Sequence, residues 1–258
     1  MATKLELYNV THYFGGLKAV SDFSLALPEG ALFGLIGPNG AGKTTIFNLV
    51  TGIYRPTQGQ IAMGDASLLG KKPHAIVAMG VARTFQNLRI FNSLTELDNI
   101  RVARHYTFGG TLADSTLRTR RGRSEEAAVK KEAAELLGIF GLTPRVNEKA
   151  GNLPYGELRR LEIARALATH PKVLLLDEPA AGMNPREVDR LMELIAWIRG
   201  QFNLSILLIE HHMRVVMNIC EQIKVIDFGE TIAEGDPRAI AGDPKVIEAY
   251  LGKGDGHA

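Results

Sequence analysis

Residues 4–10, KLELYNV, alternate polar and apolar positions with the two-residue period of a strand that buries one face. Residues 19–27, AVSDFSLAL, read as a second strand and run into the turn PEG. Residues 31–36, ALFGLI, are apolar throughout, as a strand buried on both faces would be. A glycine-rich loop follows, and helical spacing returns over 44–51. QGQIAMGD predicts an edge strand and a turn. Between 95 and 141 the period changes: TELDNIRVARHY and SEEAAVKKEAAELLGIFGL have helical spacing, and 107–123 between them is irregular and basic. VLLLD (173–177) and SILLIE (205–210) predict two further buried strands, separated by the helix PREVDRLMELIAWIRG. KVIDFGETIAEGD (224–236) predicts a hairpin across FGE, DPRAIAGDPKVIEAYLG predicts short helices, and GKGDGHA predicts a frayed end. Buried strands alternating with helices place the chain in the α/β class, with a parallel sheet and helices on it.

Composition narrows this picture in three ways. A chain of 258 residues, 45% of them apolar, can bury the core of one large domain with an inserted lobe. A net charge of +2 gives no global attraction to nucleic acid. The lone cysteine, Cys220, cannot form an internal disulfide and fits a reducing compartment as a small buried residue. No stretch approaches the ~20 apolar residues of a membrane-spanning helix. MATKLELYNV lacks the apolar core of a signal peptide. Work at a membrane would therefore need other subunits to span it.

Residues 37–44 read GPNGAGKT, which fits G-x-x-x-x-G-K-[ST] between a predicted strand and a predicted helix. In Gly37, Pro38, Asn39, Gly40, Ala41 and Gly42 the glycines let the backbone curl so that several N–H groups face one anion. The helix behind them adds its positive end. Lys43 can reach the β- and γ-phosphates, the Thr44 hydroxyl can ligate Mg²⁺, and Thr45 can touch phosphate. VLLLDEP ends a buried strand on Asp177 and Glu178. Ligands of open parallel sheets sit at the carboxyl ends of strands, so both motifs can meet at one edge. There Asp177 would hold Mg²⁺ and Glu178 would polarise a water beside the γ-phosphate. SILLIEHH ends another strand with His211, placed to hydrogen-bond the γ-phosphate, and His212, read as a surface residue. The two histidines are not expected to share a metal, since adjacent residues of a strand face opposite ways.

The series GPNGAGKTT, TFQN, LPYGE, LLLDEP and IEH, in this order, resembles the ATP-binding subunits of ABC transporters over nearly the whole chain. YGELRRLEIARAL, DEPAAGMNP and VIEAYLG look like the LivG type of branched-chain amino-acid uptake systems. The resemblance implies a mixed α/β core with an antiparallel β-subdomain, built from 1–87 and 166–258, and a helical subdomain at 88–165. It implies ATP and Mg²⁺ as ligands. Phe14 matches the aromatic that stacks on adenine, although a plain core aromatic is its other reading. Gln86 matches the loop glutamine that reaches Mg²⁺ and the water. Glu178 matches the general base, His211 the switch histidine, and 180–184 the segment at the dimer interface, with Asn184 in place of a more common Asp. Leu153, Pro154, Tyr155, Gly156 and Glu157 match the signature LSGGQ, altered at two positions, which closes over the nucleotide of a partner subunit.

The resemblance also implies partners: transmembrane permease subunits, a second ATP-binding subunit or a second copy of this chain, and indirectly a substrate-binding protein, but no nucleic acid. It implies a peripheral place on the cytoplasmic face of the inner membrane. Related cassettes serve urea or amide importers and lipopolysaccharide export, and soluble ones act on DNA or ribosomes. Those readings stay open from sequence. Pro154 has neither hydroxyl nor N–H to offer a phosphate. One lost hydrogen bond to a charged group costs roughly 1.5–3 kcal/mol, so the altered signature is expected to be weakened. Paired with an LSGGQ-bearing ATPase, the chain would form two unequal composite sites. Arg118, Arg120, Arg121 and Arg123 are read as a solvated loop, with anionic lipid headgroups or a cytoplasmic loop as the alternative.

Overall fold

The computed structural model describes residues 3–104, 120–143 and 147–251. The chain divides into two compact units, 1–83 with 172–258, and 84–171. The division falls a few residues from the expected boundaries at 87/88 and 165/166. Backbone N–H groups of Phe85 and Arg89 donate to Glu162, which ties the TFQN stretch to the helical unit.

In the first unit, strands β1 (Thr3–Phe14) and β2 (Leu17–Pro28) pair antiparallel, as do β1 and β4 (Gln58–Met63) and β4 and β5 (Ala66–Ser67). The two-residue β5, not β4, is the edge of this sheet, whose order is β2-β1-β4-β5. A second sheet has six strands. It contains β3 (Leu32–Ile36), β6 (Val81–Arg83), β7 (Val173–Asp177), β8 (Ser205–Ile209), β9 (Gln222–Asp227) and β10 (Glu230–Gly235), in the order β10-β9-β3-β8-β7-β6. All its pairings are parallel except the β9–β10 hairpin. Its turn, Phe228-Gly229, has positive φ at both residues, which matches the twist of the strands it joins. Every residue of β7 and β8 is buried, as their unbroken apolar runs require.

Helix α1 (Lys43–Val50) follows β3, and the short α2 (Pro73–Ala78) precedes β6. Leu7, Phe23, Ile46, Phe47, Leu35, Leu175 and Ile209 belong to one core joining the two sheets through α1. In the second unit, α3 (Glu96–Arg104), α4 (Arg120–Ile139) and α5 (Tyr155–Leu167) pack on one another. Arg120, Arg121 and Arg123 stand in the backbone of α4 rather than in an irregular loop, whereas Arg118 lies outside the described residues, as does the tail 252–258. Back in the first unit, helix α6 (Pro185–Gln201) joins β7 to β8. Asn184 caps it, accepting from the N–H groups of Arg186 and Glu187, while the Glu187 carboxylate accepts from the Asn184 N–H. Helices α7 (Met213–Ile219), α8 (Pro237–Ala241) and α9 (Pro244–Leu251) complete the chain. Among the described residues, no helix is long and apolar enough to cross a membrane.

Cys220 is buried at the end of α7, beneath β3, where a Cβ on Gly34 would stand 3.1 Å from its Sγ. Burial, aided by Glu221 and Glu210, pushes its thiol up to about 12. At pH 8 the folded chain therefore holds almost no thiolate, the only reactive form. Ellman's reagent at pH 8 is expected to react with the native chain at least about 100-fold more slowly than with the chain in denaturant. Between pH 9 and 12 the unfolded thiol ionises and the folded one does not, so stability falls as pH rises.

Candidate active site

Strands β3, β8 and β7 are adjacent and parallel, so their carboxyl ends share one edge of the sheet. The register is tight: Leu35 pairs with Ile209, and Ile209 with Asp177. Three stretches therefore emerge side by side, 37–44 after β3, Asp177-Glu178 at the end of β7 and Glu210-His211 after β8. This edge is the candidate site.

The loop 37–42 is held by close backbone approaches. A Cβ on Gly37 would lie 2.0 Å from the Ile226 carbonyl oxygen, and one on Gly42 would lie 2.5 Å from that of Ala19. Gly37 and Gly42 also have φ of 152° and 104°, a backbone that only glycine adopts without strain. Gly42 then caps α1, whose first-turn N–H groups have no side-chain cap. Pro38 is half-buried, Asn39 and Gly40 are exposed, and Ala41 is buried. Lys43 folds over the loop, and its Nζ donates to the carbonyls of Gly37 (2.6 Å) and Pro38 (2.8 Å). Burial pulls its pKa down, and the carboxylates of Glu178 and Asp177 pull it partly back. An arriving phosphate would offer that ammonium better partners than two carbonyls. Thr44 is exposed and Thr45 half-buried.

Asp177 is 2% exposed and accepts from Arg83 at 2.7 Å. Arg83 also donates to Asn48 Oδ1 at 2.6 Å and lies over the Phe47 ring at 5.3 Å. Neither Arg83 nor Asn48 was visible as a partner in the sequence, because they stand 94 and 35 positions from their counterparts in this chain of contacts. Glu178 has a left-handed backbone, φ 47°, with its N–H donating to the Ile209 carbonyl at 2.8 Å. Asp177 meets Arg83 and Glu178 stands beside His211, so the two adjacent acids have different neighbours. His211 Nδ1 stands 3.6 Å from a Glu178 carboxylate oxygen.

Glu210 is a further residue that the sequence reading passed over. It is wholly buried, and its carboxylate accepts from the N–H groups of Ala180 (2.9 Å), His211 (2.8 Å) and His212 (3.1 Å). One carboxylate thereby fixes both the 180–184 segment and the histidine turn. The rings of His211 and His212 lie 4.7 Å apart. The expected opposite orientation of these neighbours fails because β8 has already ended at Ile209. Their Nδ1/Nε2 and Glu210 oxygen atoms fall within 4.8 Å of one another, but the Glu210 carboxylate is committed to the three N–H groups.

Phe14, at the end of β1, is 42% exposed. It meets His12 (4.8 Å) and Tyr54 (5.2 Å) edge-on, and His12 stacks on Tyr54 at 5.6 Å. Gln86 and residues 153–157 belong to the second unit. Gln86 is exposed, Leu153 is buried, Pro154 and Tyr155 are exposed, and Gly156 and Glu157 are half-buried. Pro154 is the N-cap residue of α5 with no side-chain cap, and its carbonyl accepts from Glu157 and Leu158.

A glycine loop between a central strand and a helix, with paired acids at the end of the next-but-one strand and a histidine just after the strand between, defines a P-loop nucleotide hydrolase. Known proteins carry the class further. Residues 20–181 match the ABC transporter family, and residues 230–256 match a second family, the branched-chain amino acid ATP-binding cassette transporters. The branched-chain amino acid transport ATP-binding protein BraF of Pseudomonas aeruginosa is 45% identical over 96% of this chain and 98% of its own length. LivG of Escherichia coli is 47% identical over 93% of this chain and 94% of its own. A crystal structure of MJ1267, an ATP-binding cassette of an ABC transporter in its ADP conformation, superposes with a TM-score of 0.84 at 30% identity. It covers 98% of this chain and all of that one. The chain belongs to the ABC transporter family, whose ATP-binding subunits hydrolyse ATP.

Arg83 neutralises a carboxylate that is itself cut off from water. Removing one member of a buried pair strands the other charge and typically costs about 3–5 kcal/mol. Arg83→Ala is expected to lower the unfolding free energy measured by urea denaturation by that amount, with Arg83→Lys recovering part of it. A loss within about 0.5 kcal/mol, as at ordinary surface sites, would show that Asp177 is held by other contacts.

Proposed function

We propose that this chain is the ATP-hydrolysing subunit of an importer for branched-chain or related amino acids, working with ATP and Mg²⁺ on the cytoplasmic face of the cell membrane. The observation that carries the reading is identity of 45–47% to BraF and LivG, named as high-affinity branched-chain amino acid transport proteins, along nearly their whole length. The match at 230–256 to a branched-chain family supports it at the other end of the chain.

The roles follow from chemistry at the sheet edge. Residues Gly37 to Thr45 would wrap the phosphates with N–H groups, and Lys43 would trade its two carbonyl partners for phosphate oxygens. Thr44, Asp177 and Gln86 offer hydroxyl, carboxylate and amide oxygens, the donor set a hard cation takes. When bound, Mg²⁺ supplies charge neutralisation at the β- and γ-phosphates. Glu178 would accept a proton from the attacking water, and His211, beside it, would hydrogen-bond the γ-phosphate. The exposed Phe14 would stack on adenine. Residues Leu153 to Glu157 would face the nucleotide of a partner, through the first-turn N–H groups of α5. Permease subunits would carry the span, a second ATPase or a second copy would complete the nucleotide sandwich, and a substrate-binding protein would deliver cargo.

Glu178→Gln keeps the shape of the side chain and removes the base. It is expected to lower ATP turnover by at least about 100-fold while nucleotide binding, read with a fluorescent ATP analogue, stays within about threefold. Equal loss of both would assign Glu178 to binding. Gentle co-purification of the tagged chain from its native membranes tests the assembly. Two membrane subunits and a distinct second ATPase are the expected companions, and ribosomes or DNA in their place would overturn the transporter reading.

A further inference from the structure

The two altered signature positions are not alike. Pro154 only removes groups, but Tyr155 brings a hydroxyl, and the structure gives that hydroxyl a partner. One turn along α5, at the i+4 position on the same face, lies Arg159. Its Nη2 donates to the Tyr155 hydroxyl oxygen at 3.2 Å, and its guanidinium carbon sits 5.9 Å from the centre of the Tyr155 ring. Arg159 is wholly buried, the largest side chain in the described chain to be so.

The two Nη groups also reach the glutamine segment and Glu162. Nη1 donates to the Phe85 carbonyl at 2.7 Å and to Glu162 at 2.8 Å, and Nη2 also donates to the Gln86 carbonyl at 3.1 Å. Glu162, in turn, accepts from the N–H groups of Phe85 (3.3 Å) and Arg89 (3.4 Å). Burial pushes the Glu162 carboxyl up and Arg159 draws it back. An Arg–Glu pair at 0% and 1% exposure thus clamps both the carbonyls and the amides of 85–89 onto α5. The buried Arg159 Nε has no partner, so the guanidinium is held by its two Nη groups alone and each of their bonds matters to its position. Tyr155 supplies one of those bonds from the solvent side, being 41% exposed at the first residue of the helix.

We propose that Tyr155 is a positioning residue, whose hydroxyl holds the Arg159 guanidinium and through it ties the signature to the glutamine segment, so that the two move as one piece. This rests on the reading above, in which the signature meets the partner's nucleotide and Gln86 serves the chain's own. A displacement of the helix start by one nucleotide would then be felt at Gln86 through two side chains. On this account the tyrosine adds a link and does not merely crowd the partner's phosphate.

The two accounts predict opposite signs for Tyr155→Gly, which restores the small residue of LSGGQ. Hydrogen exchange by mass spectrometry on the full chain reads the clamp without any partner. Tyr155→Phe and Tyr155→Gly are each expected to speed exchange across 85–89 by about tenfold, the effect of one lost hydrogen bond to a charged group, with α3 and α4 unchanged. ATP turnover of the chain with its co-purified companions reads the consequence. Both variants are expected to lower kcat by about three- to tenfold at unchanged KM for ATP, as loss of an interaction outside ground-state binding does. Unchanged exchange at 85–89 in both variants would overturn the proposal, and so would a faster Tyr155→Gly enzyme. A wild-type preparation that hydrolyses no ATP would instead strike at the functional reading, and the exchange result would still decide the clamp.

Discussion

Three stretches of backbone meet at van der Waals distance beside the phosphate loop, and the site depends on that meeting. The loop 37–42, the hairpin turn at Phe228-Gly229 and strand β2 at Ala19 leave no room between them for a single Cβ. One on Gly37 would strike the Ile226 carbonyl oxygen, and one on Gly42 or Gly229 would strike that of Ala19. The same three stretches are joined by hydrogen bonds, from Gly229 N to the Ala41 carbonyl (2.9 Å) and from Ser21 N to the Gly229 carbonyl (2.8 Å). The antiparallel sheet and the hairpin are thus the mould in which the loop is cast. Residues far from the phosphate-binding motif, 19–21 and 226–229, set its curvature. A loop so constrained presents its N–H groups in place before any ligand arrives, which is the preorganisation that electrostatic catalysis needs.

The charges on that edge obey a related constraint. Lys43, Asp177 and Glu210 are all buried, and an isolated buried charge would be intolerable. Each is answered locally, but by different chemistry. Lys43 rests on two loop carbonyls, partners it can exchange. Asp177 rests on the fixed cation Arg83. Glu210 rests on three backbone N–H groups and so acts on the main chain of 180 and 211–212. A lysine on weak partners can respond to a phosphate, whereas the acids stay where the fold puts them.

The strands of the large sheet were legible because burial on both faces leaves an unbroken apolar run. ALFGLI, VLLLD and SILLI could be read as buried strands without knowing their order, and FGE marked the hairpin by its glycine. The edge strand β6 was not legible: three residues, Val81–Arg83, carry no period. The glycine motif could be found by spacing, since its chemistry is local to eight residues. Arg83, Asn48 and Glu210 could not, since their importance lies in partners 30 to 94 positions away. The contrast of Asp177 and Glu178 is similar. Sequence shows two adjacent acids, and only the structure shows that one meets Arg83 and the other stands beside His211.

That logic also bears on the signature. From sequence, LPYGE reads as LSGGQ with losses, because the template defines what each position should supply to a phosphate. The structure asks what each position supplies to the chain itself. Pro154 sets an extended backbone, φ −57° and ψ 151°, directly before α5 and so fixes where the helix starts. Its carbonyl takes the N–H groups of Glu157 and Leu158, the third and fourth residues of the helix. Tyr155, the first residue of the helix, meets Arg159 one turn further along it. A hydroxyl lost at one position reappears at the next, aimed inward instead of outward. On the proposed roles, a weaker hold on a partner's phosphate and a firmer hold on the chain's own glutamine segment would be two consequences of one local change. A comparison with the intact motif position by position would register only the first.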